Sequence, residues 1–250
     1  IAIDRPGFGH STRPRSRVWT PAAQAKLIAM ALDQLHIENP LVLGHSLGTL
    51  TAMELSRIRP LKGLALVSGY YYPTPRVDQV VSTGSALPIL GDIMAYTISP
   101  LVGLMIWPRI SAKIFSPRPV PSRFKKAYPK GLSLRPSQLK ASAEDLAMMN
   151  MAVSKLSDYY GRFSCPVVAI HGDGDEILEP EQAGKLHRQH PNIALTRESG
   201  IGHMAHYAEP QRILAAIGKL VVPAIAPDSA PKLAPTALEG AAEAGPARVR

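Results

Sequence analysis

Three short segments carry residue types suited to nucleophilic acyl chemistry: Gly44-His45-Ser46-Leu47-Gly48, His171-Gly172-Asp173-Gly174-Asp175 and Gly200-Ile201-Gly202-His203. A serine hydroxyl is a poor nucleophile until a base takes its proton, and an imidazole does so best when a carboxylate fixes its orientation. Ser46, His203 and Asp175 supply these three roles. Leu47 N–H, the first amide after the serine, is placed to donate to the oxyanion that forms on attack. Gly44 and Gly48, two residues before and two after Ser46, are both expected to be required by a strained strand-to-helix turn through which neighbouring backbone passes closely. A helix starting just after Ser46 adds free N–H groups and a favourable dipole.

Each of these residues has a competitor nearby. His206 lies three residues beyond His203, but the Gly-Ile-Gly run points to His203 as the base. Asp173 competes with Asp175, and the glycine spacing favours Asp175. His45 is expected to point away from the reacting side, and Glu176 and Glu179 to be solvated. Asp4 and Arg5 are expected to hold a local turn. His187 and His190 lack the carboxylate or cysteine pattern of a metal site, so neither a metal nor a cofactor is expected.

Positioning these residues requires strands that end where the motifs begin. Residues 41–43 form a continuous apolar run suited to a parallel strand buried on both faces, followed by a helix over about 47–58. Residues 64–67 and 167–170 read as two further strands, and 193–195 as another, with helices near 181–190 and 209–220. Thr20-Pro21 caps a helix running to about residue 37, with Leu27, Met30, Ala31 and Leu35 on one face. Ile1-Ala2-Ile3 reads as a short buried strand. Alternating strands and helices imply an α/β fold with a mostly parallel sheet flanked by helices. Ser46, Asp175 and His203 then all follow strands at the same, C-terminal edge of that sheet, where open α/β sheets build their sites.

The chain resembles the α/β-hydrolases over about residues 1–220. Asp4-Arg5-Pro6-Gly7-Phe8-Gly9-His10-Ser11 is similar to the strand-end segment upstream of that family's nucleophile elbow, and Gly44 to Gly48 resembles the elbow. Gly172-Asp173-Gly174-Asp175 resembles the acid loop, and Gly202-His203-Met204 with Glu209-Pro210 the histidine loop. The chain order Ser46, Asp175, His203 is also the family's order. The resemblance implies a core over 1–69 and 163–221 and a helical cap insertion over 70–162. It implies a serine hydrolase that cleaves a carboxylic ester of a small hydrophobic molecule through an acyl-enzyme. Acyl transfer, perhydrolysis and carbon–carbon bond hydrolysis are the alternatives on the same fold. A non-catalytic binding protein or impaired fragment is the alternative from another class. Family members carry strands ahead of the segment matched by Ile1–Ile3, and the loop after the third strand gives a second oxyanion N–H. That segment is not among these residues, so the chain is expected either to be a piece of a longer protein or to lack half of its oxyanion hole.

Composition narrows the partners. The 250 residues are 46% hydrophobic, enough for a buried core, and the one cysteine, Cys165, excludes intrachain disulfides and multi-cysteine zinc. The formal charge of +9 is local: residues 109–140 hold nine Lys and Arg and no acid, leaving 19 basic against 19 acidic residues elsewhere. No nucleic-acid motif accompanies that stretch. It follows an apolar stretch, 87–107, whose Pro88, Gly91, Asp92, Pro100 and Gly103 argue for two short helices roofing an apolar pocket rather than a membrane span. The basic stretch reads either as a solvated, proline-broken surface or, with the apolar stretch before it, as a lid that touches anionic membrane surfaces or attracts anionic substrates. The compartment expected is cytoplasmic or peripherally membrane-associated. Residues 222–250, rich in Ala and Pro, are expected to be a disordered tail.

Overall fold

The computed structural model describes residues 1–75, 87 and 89–220; the tail expected over 222–250 lies outside the described residues. Four parallel strands, β1 (Leu41–His45), β2 (Gly63–Val67), β3 (Val167–Gly172) and β4 (Ile193–Glu198), form a sheet in the order β1-β2-β3-β4. Leu43 pairs in register with Ala65, Ala65 with Val168 and Val168 with Ala194. β2 and β3 are buried along their whole length, as the apolar runs Leu64–Val67 and Val167–Ile170 require of central parallel strands. Side chains alternate across them. Leu64, Leu66 and Ala169 face one core, shared with Leu50 and Met53, while Ala65, Val67, Val168 and Ile170 face a second, closed by Ile213, Ala216 and Ile217.

The helices that cover these faces are α1 (Pro21–Gln34), α2 (Gly48–Ile58), α8 (Glu181–Gln189), α9 (Ala205–Ala208) and α10 (Pro210–Gly218). Between β2 and β3 the chain runs through α3 (Leu90–Tyr96), α4 (Ile98–Phe115), α5 (Ser122–Ala127), α6 (Lys130–Ser133) and α7 (Pro136–Ser157). α7 ties this segment to the core, burying Met149, Val153 and Leu156 there. Its Asp145 carboxylate, also buried, accepts from Arg5 Nη1 at 2.6 Å, Arg13 Nη2 at 3.0 Å and Gln24 Nε2 at 3.1 Å. A buried carboxylate is tolerated only when paired and hydrogen-bonded in this way. Arg5 is thus a structural residue, and so is Asp4, whose Oδ2 accepts from His10 N.

Four expectations from sequence are corrected. Ile1, Ala2 and Ile3 form no strand and are exposed, because among the described residues no strand lies beside them to complete a ladder. Among the described residues β1 pairs with β2 alone and is not buried on both faces, and Leu43 is 43% exposed. α1 ends at Gln34, where Ile37 N–H returns to Leu32 O and His36 takes a positive φ of 54°. It buries Gln24, Ala25 and Leu32, not Leu27, Met30 and Leu35, because Gln24 is drawn inward by Asp145 and Trp19 O. The apolar residues of α3 and α4 face outward instead of roofing a pocket. α4 meets its neighbours through small or aromatic positions, Gly103 against Leu134 and Phe115 against Phe124, leaving its larger aliphatic side chains on the outside.

Candidate active site

Ser46 sits at the end of β1 with a φ of 51°, a left-handed conformation that costs a non-glycine residue of order 1 kcal/mol or more and persists only where the surroundings enforce it. Here they do. Ser46 N–H donates to Val67 O of β2 at 3.0 Å, and Ser46 O accepts from Thr49 N at 3.0 Å and Thr49 Oγ1 at 2.6 Å. The turn therefore lifts a half-buried Ser46 side chain above the sheet edge and opens α2 immediately behind it. Leu47, the residue that caps α2, has an N–H that donates to no protein acceptor among the described residues. It is left available to a developing negative charge.

The glycines flanking Ser46 are not equivalent. A Cβ on Gly44 would meet Gly48 O at 2.8 Å, Thr49 Cα at 2.8 Å and Ala52 Cβ at 2.9 Å, so α2 packs directly on its backbone. A Cβ on Gly48 would meet nothing within 4 Å, and its φ is not positive. The expectation that both glycines are required for close approach is thus corrected for Gly48, because α2 leaves the turn with Gly48 facing open space.

Asp175 and His203 meet from two loops. His203 Nδ1 and Asp175 Oδ2 are 2.8 Å apart and both residues are buried. The other carboxylate oxygen, Oδ1, accepts from Ile177 N at 2.8 Å and Leu178 N at 2.9 Å, which fixes the plane of the carboxylate. Burial alone would raise this carboxyl's pKa, but the hydrogen bonds from His171 and His203 outweigh it and hold Asp175 well below the usual carboxylate range. It is an anion at every physiological pH. Gly172 lets the two loops approach, since a Cβ there would strike Ile201 O at 2.2 Å, while Gly174 and Gly202 admit the segment that follows α4, where a Cβ would strike Pro117 Cδ at 2.3 Å and Ser116 O at 1.9 Å.

His203 follows β4 and Ser46 follows β1, so all three residues lie at the C-terminal edge of one parallel sheet. Asp175 and His203 are joined directly, while Ser46 Oγ makes no hydrogen bond to His203. Such contacts in ligand-free sites commonly tighten only when substrate arrives. Asp173, the rival acid, is exposed and lies 4.0 Å from Arg197. His206, the rival base, has no carboxylate partner among the described residues; its ring stands 4.3 Å from that of His45. Among the described residues no cluster of His, Cys, Asp or Glu is arranged to hold a metal ion.

Two residues of this site carry no role in the sequence reading. His171 Nε2 lies 3.1 Å from Asp175 Oδ2 and 3.0 Å from Leu178 O, so it must carry the proton and donate to both acceptors. The signal was present as a His four residues before the Asp. His45 Nε2 lies 2.9 Å from His203 O, a contact across 158 residues that no local pattern announces.

One cleft, of about 700 Å³, is lined by Arg13, Arg15, Trp19, Asp92, Tyr96 and Lys140 and by neither Ser46 nor His203. A second, of about 510 Å³, reaches Asp175 and Ile177 from beneath Lys113. The meeting of the three loops, not the cleft size, locates the candidate site.

A parallel sheet with a serine elbow, an acid loop and a histidine loop at one edge defines the α/β hydrolase class. The model of the alpha/beta hydrolase fold family matches residues 1–210, and the chain belongs to that family. Solved structures agree on the fold. An alpha/beta hydrolase fold protein from Burkholderia ambifaria superposes with a TM-score of 0.67 at 22% identity, covering 84% of this chain and 76% of that one. The esterase EaEST from Exiguobacterium antarcticum gives 0.68 at 16% identity, with 87% and 79% covered. MenH from S. aureus gives 0.68 at 19% identity, with 88% and 81% covered. No curated protein matches the sequence.

Proposed function

We propose that the protein is a serine hydrolase that cleaves a carboxylic ester through an acyl-enzyme, without a cofactor. The observation that carries this reading is the buried 2.8 Å contact between His203 Nδ1 and an ionised Asp175, in a chain whose Ser46 is held at a positive φ on the same sheet edge. With Nδ1–H committed to Asp175, His203 keeps Nε2 free as a base. Ser46 Oγ attacks the ester carbonyl and its proton passes to Nε2. Leu47 N–H stabilises the oxyanion, and the alcohol leaves with the proton from His203. Water, deprotonated by the same nitrogen, then releases the acid and restores Ser46. The esterase EaEST among the solved structures supports the reaction class only as a shared fold.

The hydrophobic substrate expected from residues 87–107 loses its main support, because the larger aliphatic side chains among them, Leu90, Ile93, Ile98, Leu101, Leu104 and Met105, are exposed. The test therefore spans chain lengths. The protein is assayed on p-nitrophenyl acetate through decanoate and treated with a fluorophosphonate probe. Turnover and labelling that both vanish in Ser46→Ala are expected. A folded wild-type protein that neither turns over any ester nor takes the label would overturn the reading in favour of a non-catalytic binding protein.

A further inference from the structure

The outer face of α4 is apolar over its first half and basic over its second. Ile98, Leu101, Val102 and Met105 recur at the spacing of a single helix face, and all four are exposed, Leu101 by 69% and Met105 by 73%. Four and eight residues beyond Met105 the same face continues with Arg109 and Lys113, both exposed. α5 lies along the C-terminal half of α4, its Phe124 ring 6.4 Å from Trp107 and 4.8 Å from Phe115, and carries Arg123, Lys125 and Lys126 into solvent. Of the basic residues in this segment, Arg118 pairs with Glu209 and Lys140 with Asp92, whereas Arg109, Lys113, Lys125 and Lys126 have no carboxylate partner among the described residues.

Isolated exposed aliphatic residues need no explanation, but a continuous helical stripe of them does. Unpaired cations beside it state what kind of surface would cover it. The geometry points to docking of this face of α4, with α5 beside it, on the surface of an anionic lipid bilayer: the stripe enters the acyl boundary and the cations meet the headgroups. α4 is also long and apolar enough to cross a membrane by length and composition, with a mean hydropathy of 1.2 over its 18 residues. Crossing is opposed by its ends. Its length is about 27 Å at 1.5 Å per residue, Phe115 is buried in the protein, and Ile114 O accepts from Met204 N at 3.2 Å. The helix is tied at one end to the residue after His203, so it lies on a membrane rather than through it. The proposal goes beyond the catalytic reading and does not depend on it.

Co-sedimentation of the full chain with extruded vesicles tests it without any turnover. Binding at least tenfold tighter to phosphatidylcholine mixed with phosphatidylglycerol than to phosphatidylcholine alone is expected. Leu101→Ser with Met105→Ser should weaken that binding at least tenfold. Lys125→Gln with Lys126→Gln should weaken it on anionic vesicles only. Absent binding, equal binding to both lipids, or binding unchanged by the serine pair overturns the proposal. So does a concentration-dependent dimer that the serine pair dissociates, since a second copy then covers the face. Should the serine pair lose its native circular dichroism, the wild type decides the matter: rising salt is expected to release it from anionic vesicles, and salt-insensitive binding overturns the proposal.

Discussion

His45 Nε2 donates a hydrogen bond to the backbone oxygen of His203 over 2.9 Å, so the residue before the candidate nucleophile holds the loop that carries the candidate base. The two rings stand 4.8 Å apart. Burial, with the neighbouring His206 and His203 adding to it, pushes the His45 pKa well down and keeps the ring neutral. It therefore acts on His203 through position rather than charge. Replacing it by Phe preserves the ring but strands a carbonyl, a loss of about 1–3 kcal/mol. In the proposed reaction kcat should fall about 10- to 100-fold with KM little changed, since each 1.4 kcal/mol is about tenfold in rate. His45→Gln, which retains an N–H donor, should recover part of it. A Phe variant with wild-type kcat would show that the contact does not position His203.

Gly44 and Gly48 bracket Ser46 symmetrically in sequence and unequally in space. At Gly44 the nearest atoms are backbone and Cβ of α2, which cannot retreat without opening the elbow. Gly44→Ala should cost about 1–3 kcal/mol as an overpacked site and lose activity with it. At Gly48, the first residue of α2, a methyl group meets no neighbour, and alanine restricts the unfolded chain. Gly48→Ala should stabilise by up to about 1 kcal/mol. Thermal denaturation of the pair checks this, and a Gly48→Ala variant that melts below wild type would contradict the difference in packing.

The same contrast explains what was legible beforehand. β2 and β3 are covered on both faces, so their apolar runs describe them fully. β1 has a similar run, but whether a partner strand lies on its outer edge is not written in its own residues. In α1 the leucine and methionine spacing pointed to one face, while Gln24, a polar residue, marks the buried one, because its partners Arg5, Trp19 O and Asp145 come from elsewhere in the chain. The site was more readable than the packing. Ser46, Asp175 and His203 stand in short motifs with glycines that the close loops require. His45 bonds the backbone of His203 and His171 bonds both Asp175 and Leu178 O, and neither role follows from residue type alone.

His206 should make stability depend on pH in a defined window. Burial first, and the neighbouring His203 second, push its pKa down to about 4, and its Nδ1 has no hydrogen-bond partner. The unfolded chain titrates the same imidazole near 6.5. A folded pKa below the unfolded one means that the unfolded state binds more protons between these values, so stability is complete above about pH 6.5 and is lost as pH falls toward 4. At one pKa unit per about 1.4 kcal/mol, His206 accounts for on the order of 2 kcal/mol of that loss. His45, whose pKa is also lowered by burial, adds a loss of the same sign. Asp175 does not share this window. Its depressed pKa stabilises the fold above the ordinary carboxylate range, and that contribution is lost only in stronger acid. His206→Phe fills the same space without a titrating group. Urea unfolding at about pH 7 and about pH 4.5 should therefore show a smaller loss in the variant than in wild type, by on the order of 2 kcal/mol. Equal losses in the two proteins would mean that His206 is already free to protonate in the folded state, and that the buried histidine pair does not set the acid limit of the fold.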